Sequence, residues 1–325
     1  MTPVELSRTV LRAVRRAVDE GELSVSVPER AVVTPPGPGG CGDYATNIAL
    51  QLARPAGQPP MRVAEILRPH LANAAGVGDV VVTGPGFLNI SLSPASSPTA
   101  ALVAEIRALG PGYGHGDALA GQVVALRVPY DVRAEVVADA VVRIVAAQGG
   151  RGEVGHGEPV SVRPVPAPED PAPLGPDAAQ WALLYPAAHD RPRITADHLV
   201  QRESNPLFRV RYAHARARAV GRGAGRLGFG AEPGDVPDAP GALVTALADY
   251  PRILTAAATH RAPDRLARHL VTVADAVLPF LPTVLPRGEE KPSAAHRARL
   301  ALAEATGTVL AGGLSLLGID APDHL

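Results

Sequence analysis

The sequence predicts an α+β protein of several domains: a small N-terminal α/β unit, a short α/β segment and a C-terminal helical bundle. Three observations carry this. Residues 1–95 mix a helical apolar period with short β runs. Residues 151–176 hold seven prolines and four glycines, the composition of a linker. From Asp177 onward the apolar pattern is helical and is broken by short Pro/Gly turns, as in a bundle. A chain of 325 residues is long enough for two ordinary domains with buried cores.

Each element follows from its residues. Val4, Leu6, Val10, Leu11, Val14 and Val18 recur at helical spacing over 3–19. The run VSVPERAVV (25–33) alternates like a strand and leads into PPGPGG (35–40), a loop. Asp43 or Thr46 would cap a helix over 47–52. Val63, Ile66, Leu67 and Leu71 share one helix face, and Gly84-Pro85-Gly86 separates β runs at 79–83 and 87–92. In the middle segment, 96–150, a helix is expected over 100–109, a strand over 122–128 and a helix over 132–147. The bundle, 177–325, should contain helices at 177–185, 195–203, 206–222, 242–259, 263–279 and 294–317. The last ends at Gly318, a natural C-cap.

Composition excludes several classes of function. Apolar residues make up 46% of the chain, but no 18 of them are continuous, which argues against a membrane span. The N-terminus lacks the apolar core of a signal peptide, so a cytoplasmic protein is expected. Cys41, the only cysteine, excludes an internal disulfide and any cysteine-based zinc cluster. Net charge is −1, unlike a non-specific nucleic-acid binder. Locally, however, residues 190–230 carry nine arginines against Asp190, Asp197 and Glu203. Lys291 is the only lysine, so the preference for arginine reads as codon bias and carries little functional weight.

Common site motifs are missing. The sequence has no GxSxG, P-loop or GxGxxG stretch. Gly37-Pro38-Gly39-Gly40 makes a poor phosphate cradle because Pro38 has no amide to donate. His115 and His156 each sit in Gly-His-Gly before an acid, without metal-ligand spacing. Neither a metal nor a cofactor is expected.

Longer strings point to a family. GDYATNIALQLA (42–53), PPMRVAEIL (59–67) and VTGPGFLNISL (82–92) resemble the N-terminal accessory domain of arginyl-tRNA synthetases. DAAQWALL (177–184), NPLFRVRYAHAR (205–216), LADYPRIL (247–254), VLPRGEE (284–290) and GLSLLGIDAP (313–322) resemble the helical anticodon-binding (DALR) domain of that family. Between them, YGHGDALAGQVVALRV (113–128) and DAVVRIVAAQG (139–149) resemble the first strand and helix of its class I catalytic domain. The resemblance implies a truncated remnant of a Rossmann domain in the middle segment.

The remnant is short of what catalysis needs. Where the family has an HxGH-type loop on the ATP phosphates, this chain runs through Pro129-Tyr130-Asp131 straight into the helix. GEPVSVRPV (157–165) stands where a KMSK-like loop would be and contains no lysine. Several βαβ units of roughly 30 residues each would need on the order of 150 residues, more than lie between 96 and 176. The expectation is therefore a chain without catalytic residues, not an enzyme.

The resemblance also implies contact residues. Phe87 and Asn89 fall where the family touches the outer corner of tRNA: an aromatic face stacks a base and an amide reads its edge. Tyr212 falls beside the anticodon, with Arg211, Arg218 and Arg222 along one helix stripe that Arg226 extends. Arg209 and Arg216 lie on the opposite side. One stripe would meet phosphates and the other pair with carboxylates, while His214 packs inside. Two departures weaken anticodon reading more than the fold: Leu278-Pro279 replaces an aromatic pair, and Leu325 stands where the family has a methionine; Gln180 replaces an arginine, a change that bears on packing. Three functions follow as expectations. The first is an inactive synthetase relative that binds tRNA or a synthetase-related protein partner. The second is an active arginine–tRNA ligase, alone or completed by a second chain. The third is a protein-docking module.

Overall fold

The computed structural model describes residues 3–37, 41–74, 76–92, 97–236 and 238–325, except for the side chains of residues 3–5. Part of the PPGPGG loop therefore lies outside the described residues. The chain divides into two compact units, Met1–Ala101 and Leu102–Leu325.

In the first unit, α1 (Pro3–Asp19), α2 (Ile48–Ala56) and α3 (Pro60–Ala72) cover one face of an antiparallel sheet. Its strands are β1 (Val33–Thr34), β2 (Tyr44–Thr46), β3 (Val77–Thr83) and β4 (Phe87–Leu92), in the order β1-β2-β4-β3. Leu6, Val10 and Val14 of α1 meet Val63 and Leu67 of α3, and Val80, Leu88 and Ile90 of the sheet, in one buried cluster. The N-cap of α2 is Asn47, without a side-chain cap bond, and the Thr46 hydroxyl accepts from the Ile48 amide at 3.3 Å in the turn that leads into it. The Asp43 carboxylate instead accepts from the Leu92 amide at 2.7 Å, which ties the end of β4 to the segment before β2. The β3–β4 turn needs a glycine at position 86. Its φ is 127°, and a Cβ there would lie 2.9 Å from the Pro60 carbonyl carbon.

The strand expected over 25–33 shrinks to Val33–Thr34. Pro28 has no amide for a ladder, and the Ala31 carbonyl is taken by the Ser7 hydroxyl at 2.8 Å.

Helix α4 (Pro98–Leu109) begins just before the unit boundary, and in the second unit β5 (Val123–Val128), α5 (Val132–Ala147) and β6 (Arg151–His156) follow it. The strands β5 and β6 pair in parallel, Val123 opposite Arg151 through Val128 opposite His156. A parallel pair requires a crossover, and α5 supplies it. The Asp131 carboxylate caps α5 by accepting from the Ala134 amide at 3.0 Å. Residues 151–156 are thus a strand and not the start of the expected linker. The Pro/Gly content of the segment hides a short parallel strand that pairs with β5 and packs on α5.

Five helices follow: α6 (Pro176–Leu184), α7 (Pro206–Arg226), α8 (Gly241–Thr259), α9 (Pro263–Val277) and α10 (Ala294–Leu316). Helix α7 packs on α9 and α10, and α8 on α9. One apolar cluster runs from Ile106, Leu126 and Ile144 to Leu247, Leu270 and Leu310, so the middle segment and the bundle share a core. Gly318 closes α10 at φ 75°, and the Ile319 amide bonds back to the Leu314 carbonyl at 2.9 Å. The helix expected over 195–203 is only a 3₁₀ turn at Ala196–Leu199. The Asn205 amide takes the carbonyls of His198 and Val200 at 2.8 and 3.0 Å, which competes with helical pairing.

Arg133, fully buried at the start of α5, joins the βαβ segment to the chain after α6. Its five N–H groups reach five carbonyls, those of Val165, Leu183, Pro186, Ala187 and Asp190, at 2.6–3.1 Å. Burial pulls its pKa below the usual arginine range, against the pull of Asp131, Asp190 and Asp264.

Candidate nucleic-acid interface

Helix α7 begins where Asn205 accepts from the Leu207 amide at 3.1 Å and Pro206 takes the first helical position. It buries Leu207, Val210, Ala213, His214, Ala217 and Val220. Tyr212 is left on the outer side, 38% exposed, with its ring stacked on Phe208 at 5.4 Å and 19°. Arg216 follows one turn later, exposed and without an ion pair among the described residues.

The other arginines divide differently from the two-stripe expectation. Arg209, as expected of its stripe, holds both oxygens of Asp275 at 2.8 and 2.9 Å. Arg211, of the stripe expected to meet phosphates, is 3.3 Å from Asp177. Arg218 donates to Asp323 from Nε at 2.9 Å and from Nη2 at 3.4 Å. Arg222 reaches the Asp323 carbonyl at 3.1 Å. Arg226 is exposed. Carboxylates thus engage both stripes, because Asp177 and the segment after α10 come alongside α7. Sequence separation hid these neighbours. His214 is packed, as expected, with Nδ1 3.0 Å from the Pro322 carbonyl. Burial holds its pKa below the ordinary imidazole value.

In the first unit the structure separates Phe87 from Asn89. Both point away from the helix-covered face of β4, two residues apart. Phe87 is 40% exposed and free to stack, whereas Asn89 is 2% exposed between β2 and β3. The Asn89 amide nitrogen donates to Thr83 Oγ1 at 2.6 Å. Its donor is spent inside the sheet.

Two clusters escaped the sequence reading. His70 Nε2 lies 2.6 Å from Glu22 and 4.0 Å from Glu20 at the ends of α3 and α1, a grouping that could hold a cation. No motif signals it, since His70 and Glu22 lie 48 positions apart in sequence. His156, set aside as a lone Gly-His-Gly histidine, meets Tyr130 at a ring distance of 4.2 Å and Glu135 at 3.7 Å, at the carboxyl end of β6.

Comparison with known proteins now bears on these surfaces. The arginyl-tRNA synthetase N-terminal domain model matches residues 5–92, and the DALR anticodon-binding domain model matches 210–325. The chain thus carries two domains of the arginyl-tRNA synthetase type. An arginine–tRNA ligase of Renibacterium salmoninarum is 47% identical over 127 residues, 38% of this chain and 23% of the relative. One of Frankia alni is 36% identical over 159 residues, 46% of this chain and 28% of the relative. The matches thus span about a quarter of each relative's length. The Thermus thermophilus arginyl-tRNA synthetase structure is 15% identical with a TM-score of 0.50, covering 100% of both chains, which shows a shared fold.

These comparisons correct one expectation. The sequence reading of a non-enzyme is overturned: the matched relatives are named as ligases, and the likeness to a synthetase runs through the full length of both chains. Among the described residues, no helix is long and apolar enough to cross a membrane.

Proposed function

We propose that this chain binds tRNA through the outer face of α7 and serves arginine–tRNA ligation. The observation that carries the reading is Tyr212, exposed and stacked on Phe208 within the anticodon-binding domain, with Arg216 one turn away. An aromatic platform takes an unpaired base, and neighbouring guanidiniums take the phosphates on either side. Arg211, Arg218 and Arg222 complete the anticodon-side surface once the Asp177 and Asp323 carboxylates and the Asp323 carbonyl release them. Phe87 is the second contact, at the tRNA corner, and Asn89 sets the strand from which it projects. Filter binding of total tRNA across a salt series tests this reading. Saturable binding that weakens with salt supports it, and the absence of such binding at low salt refutes it.

The ligase names of the relatives favour a second reading, in which the chain is an active arginine–tRNA ligase, alone or completed by a synthetase-related second chain. The parallel β5-α5-β6 unit supports that reading as the retained start of a class I catalytic fold. Arginine-dependent exchange between ATP and pyrophosphate separates the two readings.

A further inference from the structure

The second unit contains a cleft that the α7 surface does not use. It has a volume of about 630 Å³, is lined by Trp181, Tyr185, Arg191, Arg193, His198 and Arg268, and falls within the ~300–1,000 Å³ common to small-molecule sites. Trp181 is fully buried, and its indole N–H has no hydrogen-bond partner among the described residues. That N–H has no accessible surface, so the indole serves as packing surface beneath Tyr185 and not as a donor to a ligand. Tyr185 stacks on the same indole at 5.2 Å and 16°, and its half-buried ring extends the aromatic surface.

Charge in the cleft favours an anion. The acids there are already engaged: Asp190 with Arg268 at 3.6 Å and His189 at 3.6 Å, and Asp197 with the Thr195 hydroxyl at 3.2 Å. Arg191 and Arg193 are exposed and have no ion pair among the described residues. The wall that carries them is braced from below, because the Pro186, Ala187 and Asp190 carbonyls are held by the buried guanidinium of Arg133. Such a wall loses little freedom when a ligand binds.

We propose that this cleft binds a nucleoside monophosphate unit, with its base on Tyr185 and its phosphate on Arg191 and Arg193. Stacking and charge-assisted hydrogen bonds together suit that ligand. The unit is supplied either as a free nucleotide or as one residue of a single-stranded RNA. The inference is independent of tRNA binding by α7. Loss of tRNA binding in Tyr212→Ala, with the cleft still loading, would separate the two.

Trp181 is the only tryptophan, so its fluorescence reports on this site alone. The purified chain, excited at the red edge of indole absorption, is titrated with adenosine 5′-monophosphate and with a hexa-adenylate. Saturable quenching is expected, and Arg191→Ala/Arg193→Ala should weaken it about tenfold or more. Tyr185→Leu should weaken it as well while leaving the phosphate contacts in place. Saturation by the mononucleotide assigns a free nucleotide, and saturation by the hexamer alone assigns an RNA strand. If neither ligand gives a saturable change, or the double variant titrates like the wild type, the proposal fails.

Discussion

Arg218 grips Asp323 across 105 positions of sequence, Nε to Oδ1 at 2.9 Å and Nη2 to Oδ2 at 3.4 Å. The guanidinium draws the Asp323 pKa below the usual carboxylate range, and burial opposes that slightly. Both side chains are about half exposed, so the pair itself adds little stability. Its consequence lies in competition, since a carboxylate on Arg218 and a carbonyl on Arg222 occupy donors that a phosphate would use.

Removing the Asp323 carboxylate should therefore strengthen tRNA binding. Asp323→Asn is expected to raise affinity several-fold at low salt, on the order of one phosphate contact. Arg218→Ala should lower it. Filter binding of both variants reads the difference, and the account fails here if Asp323→Asn binds more weakly than the wild type.

Phe87 and Asn89 should separate in their effects. Phe87→Ala removes an exposed ring, so stability stays nearly constant while tRNA affinity drops by about 1–3 kcal/mol. Asn89→Ala strips a buried partner from Thr83 and should cost about 1–2 kcal/mol of folding stability. Urea unfolding beside tRNA titration distinguishes the two outcomes. Equal loss of stability in both variants would contradict the exposed placement of Phe87.

Arg133→Met should destabilise the second unit by about 3–5 kcal/mol, because five carbonyls lose their common donor. Arg133→Lys should rescue little, since an ammonium offers three N–H groups where five acceptors wait. Chemical denaturation measures both variants. A loss under about 1 kcal/mol would show that the carbonyls find other partners.

Stability should fall in mild acid. Burial lowers the pKa of His269, whose Nε2 is 3.0 Å from the Ala246 carbonyl, with Asp249 opposing that shift and Arg252 adding to it. Burial lowers His214 in the same way. A depressed imidazole contributes its stability above the unfolded pKa of ~6.5 and loses it as pH falls through the folded value. The thermal midpoint should stay level above neutrality and drop below pH ~6, with a shallower drop in His269→Gln. A midpoint level down to pH ~5 would contradict this.

The sequence reading did best where structure is local. Apolar periods marked α5, α7 and α10 to within a few residues. It failed where long-range partners decide the outcome. β6 is a strand only because β5 lies beside it, and the 195–203 segment is held out of a helix by Asn205. At the candidate site the same division holds. Tyr212 follows from its motif, but the pairing of Arg211 with Asp177 and of Arg218 with Asp323 depends on how the bundle folds back on itself. The Trp181 cleft has no motif to mark it, because Asn205 and Arg268 close it only in the folded bundle.

The central claim, tRNA binding through α7, is tested most directly by the salt dependence of tRNA affinity for the wild type and for Tyr212→Ala/Arg216→Ala. The account predicts saturable wild-type binding with log K falling linearly with log salt. The double variant should bind at least about tenfold more weakly, with a slope shallower by roughly one phosphate contact. Identical affinity and slope in the two proteins, or no saturable binding by the wild type at low salt, would contradict it.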